Sequence, residues 1–280
     1  MSNDYVLPTP RTAYTDGSEG MTPLMKEVLD AHGGLTQWKR FTKISATIRS
    51  GGDLWEMKGV PQDPSPRQMS ASLDKEWSSV FPYGAPDKLT DFTPNRVAIV
   101  TVDGRLVAER FDPAEHAEGK DTNAPWDALD RAYFNGYALW TYLNVPFLLA
   151  WPGFDVVEIP PWQEGDEEWR GLRATFPLSI ASHSKEQDFY FGADGLLRRH
   201  DYYVNASGGF AATQHVSNFI EVEGIKLPTT RRAYMRAGNL TPLTDRLMVS
   251  IDLSDFRLSY LERMGALRSS RRNQVQRTPK

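Results

Sequence analysis

The chain contains no cysteine. That excludes disulfides, thiolate nucleophiles, and zinc or iron–sulfur sites built on cysteine. Long apolar runs are missing too. The richest stretch, Tyr137–Trp151, is interrupted by Asn144 and Pro146 and falls short of the ~20 residues a membrane span requires, so no integral membrane segment is expected. A secretory signal needs a positive start and an apolar run. The first twenty residues instead hold Asn3, Asp4, Pro8, Pro10, Gly17 and Gly20, and the resulting expectation is a cytoplasmic protein. Nor is there a G-x-x-x-x-G-K-[ST], G-x-G-x-x-G, H-E-x-x-H or G-x-S-x-G motif, which removes the usual sequence grounds for a nucleotide, dinucleotide, zinc-protease or serine-hydrolase site. No cofactor is expected.

What is present is an ordinary globular composition. Hydrophobic residues make up 40% and charged residues 24% of 280. A chain of this length buries roughly 70–75% of its unfolded surface, and single β domains reach ~200–250 residues. The net charge of −4 is unevenly spread: Arg263, Arg268, Arg271, Arg272, Arg277 and Lys280 follow Glu262 without an acid, leaving −10 on the rest. An acidic body speaks against nucleic acid as a partner. The expected organisation is an irregular segment 1–20, one domain 21–261, and a basic tail 262–280.

Thr22 and Pro23 read as the cap and first residue of a helix carrying Leu24, Met25, Val28 and Leu29 on one face, stopped by Gly33–Gly34. A short turn, Leu35–Trp38, follows. Extended runs are then expected at Lys43–Ser50, Leu54–Lys58 and Arg67–Phe81. Asp103–Gly104 joins Arg96–Val102 to Arg105–Phe111 and favours a type I′ hairpin turn. From Pro125, large side chains at Trp126, Leu129, Tyr133, Tyr137 and Trp140 recur at helical spacing, until Pro146 ends the run. Strands resume over 154–159, 169–176, 187–191, 196–204, 213–222, 225–236 and 246–258.

No helix separates successive strands in the βαβ manner, so the sheet should be antiparallel. The fold class expected is α+β: one large curled antiparallel sheet, a half-barrel of about ten strands, with helices in its concave face. The helix ending in Ala31–His32–Gly33–Gly34, the pair 43–50 and 54–59, and the hairpins 188–203, 214–229 and 232–255 together resemble the outer-membrane lipoprotein carrier (LolA/LppX-type) superfamily. The resemblance is one of pattern and order over roughly residues 24–260, and it implies a hydrophobic cavity under the helices. Members of that group work in the periplasm or cell envelope, whereas this chain shows no signal; what carries over is the cavity.

Candidate chemistry is sparse. Ser72–Lys75 and Ser182–Lys185 match S-x-x-K, but both lie in non-helical surroundings where lysine does not reach serine. Asn205–Ala206–Ser207 and Asn239–Leu240–Thr241 are glycosylation sequons only in a secreted eukaryotic protein. Of five histidines, His32 sits at a helix C-terminus, where an imidazolium is favoured, and His116 lies in a polar loop. His183 gives no clue. His200 stands in the polar strand Arg198–Tyr203, whose alternation places Arg198, His200 and Tyr202 on one face and Arg199, Asp201 and Tyr203 on the other. His215, Arg231, Arg232 and Tyr234 follow on the next strands.

Three readings of this group stay open. It is a set of cross-strand pairs on an exposed face; or His200, Tyr202, His215 and Arg198 point inward as a histidine base with charge stabilisers; or two histidines join Asp188 or Asp252 at a metal. Trp55, Trp77, Tyr83, Tyr133, Tyr137, Trp140, Arg232 and Tyr234 are the candidate ligand contacts. Two function classes result: binding of a hydrophobic small molecule in the cavity, or a cofactor-independent isomerase, lyase or cyclase acting there.

Overall fold

The computed structural model describes residues 20–60 and 63–260. The N-terminal segment up to residue 19 and the basic tail lie outside the described residues, as does the 261 boundary. Helix α1 (Pro23–Ala31) begins as the sequence dictates: Thr22 Oγ1 accepts from the Met25 amide at 3.2 Å, and Leu24, Met25, Val28 and Leu29 are buried. Helix α2 (Leu35–Trp38) follows. Leu54–Lys58, expected as a strand, is instead one helical turn, α3 (Leu54–Met57). The reason is burial of the neighbours Leu54 and Trp55 together, which a pleat with alternating faces does not allow.

Thirteen strands form one open sheet. They are β1 (Phe41–Gly51), β2 (Arg67–Ser72), β3 (Ser78–Phe81), β4 (Lys88–Thr93), β5 (Arg96–Thr101), β6 (Leu106–Phe111), β7 (Asp155–Glu164), β8 (Glu167–Thr175), β9 (Glu186–Phe191), β10 (Leu197–Val204), β11 (Phe210–Val222), β12 (Ile225–Arg236) and β13 (Pro242–Tyr260). Their order is β6-β5-β4-β3-β2-β1-β13-β12-β11-β10-β9-β8-β7, and every pair is antiparallel. The count exceeds ten because β4 was not anticipated and the run 67–81 divides at the 73–77 turn. At the β5–β6 hairpin the turn differs from type I′. The Gly104 amide bonds the Thr101 carbonyl at 2.8 Å, and only Gly104 of the two turn residues has positive φ. This is a type I turn with a glycine bulge, and the register slips between Ile99 and Val100 accordingly.

Helix α5 (Ala128–Asn144) fixes the shape of the sheet. It starts with a reciprocal capping box between Asp127 and Asp130. Its Gly136 carbonyl accepts from Ser78 of β3, and Trp140 Nε1 donates to the Ser72 carbonyl of β2. One helical turn further on, Tyr142 meets Tyr202 of β10 and Arg231 of β12. Strands β3 and β10 stand six places apart in the sheet order, ~29 Å at ~4.8 Å per strand. A helix ~10 Å across touches both only if the sheet curls around it. The concave face therefore holds α5, and nearly all of its side chains are buried.

Candidate functional site

Alternation along β10 sends His200 and Tyr202 to the concave face. His200 Nε2 lies 2.7 Å from Gln187 Oε1, and its ring stacks on Phe189 at 4.3 Å. Tyr202 stacks on His183 at 4.0 Å, and its hydroxyl stands 3.2 Å from that of Tyr142, which in turn is 2.7 Å from His183 Nε2. Arg231 enters from β12, bonding Gln214 Oε1 and the Tyr142 carbonyl, each at 2.8 Å. All of these groups are buried. Burial pushes His183 down to about 3 and holds His200 well below its ordinary value; it also lowers Arg231 to about 10. Both imidazoles are neutral near pH 7. The outcome is a closed polar network joining β9, β10, β11 and β12 to α5.

The rest of the histidine group does not join it. Arg199 pairs directly with His215 across the β10–β11 ladder, which puts His215 on the outer face, opposite His200. The two-histidine metal reading fails on that geometry, and Asp188 and Asp252 are ion-paired to Arg173 and Arg232. His215 is half-buried beside Trp169 and Tyr234, with Glu164 3.8 Å away. Burial lowers its pKa, and Glu164 opposes the shift. Arg199 bonds Asp201 in a bidentate pair, with Trp162 over its guanidinium at 4.2 Å and Arg236 on the same carboxylate. Cross-strand charge and aromatic pairing accounts for this outer patch. Arg198 turns to Asp194 at 2.7 Å. Arg232 binds Asp252, so it and Tyr234 flank the outer patch.

The aromatic candidates divide between core and cleft. Trp140 donates to the Ser72 and Lys75 carbonyls, and Tyr83 to the Ala128 carbonyl; both are packed core. Trp77 donates to Asp91 at 2.8 Å and is half-buried. Trp55, under the Arg131 guanidinium at 4.6 Å, borders an internal cavity of only about 30 Å³ beside Tyr142 and Tyr202. That is room for about one water. The space between helix and sheet is thus filled, contrary to the cavity expected there, because the α5 side chains interdigitate with the strands.

The sizeable opening lies to one side. A cleft of about 920 Å³ is floored by Tyr133 and Tyr137 and walled by helix α4 (Pro113–Ala117), the Glu118–Asp121 loop, the Phe176–Lys185 loop and the turn after β10. Its volume is that of a small-molecule site. Phe176, Pro177, Ile180 and Ala181 form an apolar wall, and Leu178 at the lip is 94% exposed. Of the eight aromatic and basic candidates only Tyr133 and Tyr137 line it. The loops that complete it carry no periodic signal, so sequence reasoning missed them; the exposed apolar Leu178 beside Pro177 was the one available hint.

Behind this cleft stands Glu76, buried, whose Oε2 accepts the Ala181 amide at 3.0 Å. Burial pushes its carboxyl up to about 9. His116, Asp127 and Asp130 bring three donor atoms within 4.8 Å of one another. Arg110 already bonds both carboxylates, and Lys120 bonds Asp130, so the group is an ion-pair cluster that pins the start of α5. Ser72 bonds Asp74 and Ser182 bonds the Ser184 carbonyl; neither S-x-x-K serine has lysine as its partner. Among the described residues no helix is long and apolar enough to cross a membrane.

No protein-family profile matches the sequence, and no curated protein matches it. Solved structures of similar fold exist. A LolA superfamily protein from Nitrosomonas europaea has 12% identity and a TM-score of 0.46 over 85% of this chain and 94% of its own. An outer membrane lipoprotein-sorting protein domain from Vibrio parahaemolyticus has 9% identity and a TM-score of 0.48 over 84% and 90%. A DUF1329 family protein from Desulfovibrio piger has 13% identity and a TM-score of 0.49 over 85% and 94%. The superfamily that the sequence resembles is represented by name among them.

Proposed function

We propose that the protein binds a hydrophobic small molecule in the side cleft. The observation that carries this reading is a cleft of about 920 Å³ with a Tyr133–Tyr137 floor and an apolar wall from the Phe176–Lys185 loop. Apolar walls with a few placed polar groups are what small-molecule sites present, and burial of ligand surface there supplies roughly 25 cal/mol per Å². Catalysis would require a base and a charge stabiliser facing one substrate. The inward histidine is closed in by Gln187, Phe189 and Tyr142 and borders neither cavity, which favours binding over the isomerase, lyase or cyclase alternative.

The test uses N-phenyl-1-naphthylamine, a neutral probe that brightens in apolar surroundings, together with native mass spectrometry of the purified protein. Ala114→Trp and Ser182→Trp place indoles into the cleft from its rim, where neither side chain is core. Saturable probe binding that each variant weakens at least tenfold is expected. Probe binding absent, or unchanged in both variants, overturns the reading.

A further inference from the structure

The cleft's interior is polar in a particular way. Tyr137 is buried, and its hydroxyl has no hydrogen-bond partner among the described residues. Ser207 is wholly buried between Ala206 and Gly208, which both line the cleft, and its Oγ is also unpartnered. His183 lies between the lining residues Ser182 and Ser184 and against the Tyr137 ring at 5.0 Å; its Nδ1 is unpartnered while Nε2 is taken by Tyr142. Glu76 uses one oxygen on Ala181, another lining residue, and leaves Oε1 unpartnered. Unsatisfied buried groups are uncommon in a native fold and call for an explanation. Four of them clustering around one cleft is explained by a ligand that completes them.

The charge at this spot selects among ligands. No arginine or lysine reaches the floor. The cations at the rim are Lys120, already bound to Asp130, and Lys185, and they are outnumbered by Glu115, Glu118 and Asp121. A carboxylate or phosphate drawn to the floor would lose its hydration without a cation to replace it.

We infer that the cleft takes an uncharged amphiphile, an alkyl or acyl chain ending in hydroxyl or carbonyl groups, whose head meets the Tyr137 hydroxyl, Ser207 and Glu76. This rests on the binding reading above and deepens it. The apolar wall receives the chain, and the hydroxyls of the head donate to and accept from the unpartnered groups at no cost in buried charge. Burial supports the same selection: Glu76 is held protonated up to about 9 and His183 neutral down to about 3, so the floor stays uncharged across the physiological range.

The experiment is competition against bound N-phenyl-1-naphthylamine at pH 7.5 with three twelve-carbon ligands: 1-monolauroylglycerol, laurate and dodecyltrimethylammonium, each below its micelle concentration. Monolauroylglycerol is expected to bind at least tenfold tighter than either ion. Tyr137→Phe, which keeps the ring and removes the unpartnered hydroxyl, is expected to weaken the glyceride at least threefold and leave the probe's own affinity unchanged. Laurate or the ammonium binding as tightly as the glyceride overturns the inference, as does a Tyr137→Phe variant with unaltered glyceride affinity; in both cases probe binding persists, so the binding reading survives. Loss of that reading is recognised separately, by a probe that does not bind at all.

Discussion

His200 shows how a residue can satisfy a sequence criterion and still be placed for structure. It points to the concave face, as one of the open readings required, and a polar atom lies within 3 Å. That atom belongs to Gln187, itself buried. The ring is stacked on Phe189 and faced edge-on by Tyr142. A base so deeply desolvated is a weak proton acceptor near neutrality. His200→Ala is therefore expected to lower unfolding free energy by ~1–3 kcal/mol, the range for leaving a buried partner such as Gln187 unsatisfied. Probe affinity should remain within twofold. Urea denaturation paired with the fluorescence titration checks both. A variant of unchanged stability and abolished binding would move the ligand to His200 and away from the cleft.

At the scale of elements, α5 and its neighbours explain what could be read in advance. The α5 helix was legible because large side chains repeat at three- and four-residue spacing between two prolines, and burial on nearly every side follows from lying inside a curled sheet. Strand alternation correctly separated His200 and Tyr202 from Arg199 and Asp201. Short elements were not legible. The α3 turn holds four residues, too few for a helical period to be told from a pleat, and β4 hides its core residue Phe92 among Lys88, Thr90, Asp91 and Thr93. That strand gives Gly136 its meaning. A Cβ on Gly136 would stand 2.3 Å from Cγ of Phe92, so glycine in mid-helix lets α5 approach β4 despite a propensity cost of ~1 kcal/mol. Gly136→Ala should thus destabilise the protein by ~1–3 kcal/mol through overpacking, although the same change stabilises an ordinary exposed helix. Thermal melts of the variant check the sign; a raised midpoint would show that Phe92 yields without strain.

For the whole molecule, curvature decides what is a site. Loops remote in sequence, 113–121, 176–185 and 205–209, form one cleft only because the sheet brings its two wings around α5, and no local pattern announces that. The same enclosure traps titratable groups in neutral form, which makes stability depend on pH from two directions. His32, bonded through Nδ1 to the Val28 carbonyl, is pushed down to about 4 by burial, so the dipole-favoured imidazolium expected at that helix end is overridden. His183 is lowered to about 3 and His200 well below 6.5. Unfolded, each binds a proton near 6.5 that the native state refuses. Their contribution is complete above 6.5 and is lost as pH falls toward 4, at ~1.4 kcal/mol per unit for each histidine. Glu76 has the opposite sign. Its native carboxyl keeps its proton up to about 9 while the unfolded one releases it near 4.5, so stability declines as pH rises between those values. From 4.5 to 6.5 three histidines outweigh one acid; above 6.5 the acid acts alone. Maximum stability is expected near pH 6–7, with a loss of ~3 kcal/mol by pH 9. Glu76→Gln, neutral at every pH and similar in shape, should abolish the alkaline decline and leave the acid limb intact. Urea midpoints of both proteins at pH 5, 6.5 and 8.5 measure this. An alkaline limb that persists in Glu76→Gln would mean that Glu76 is ionised in the fold, and the uncharged floor of the cleft would have to be given up with it.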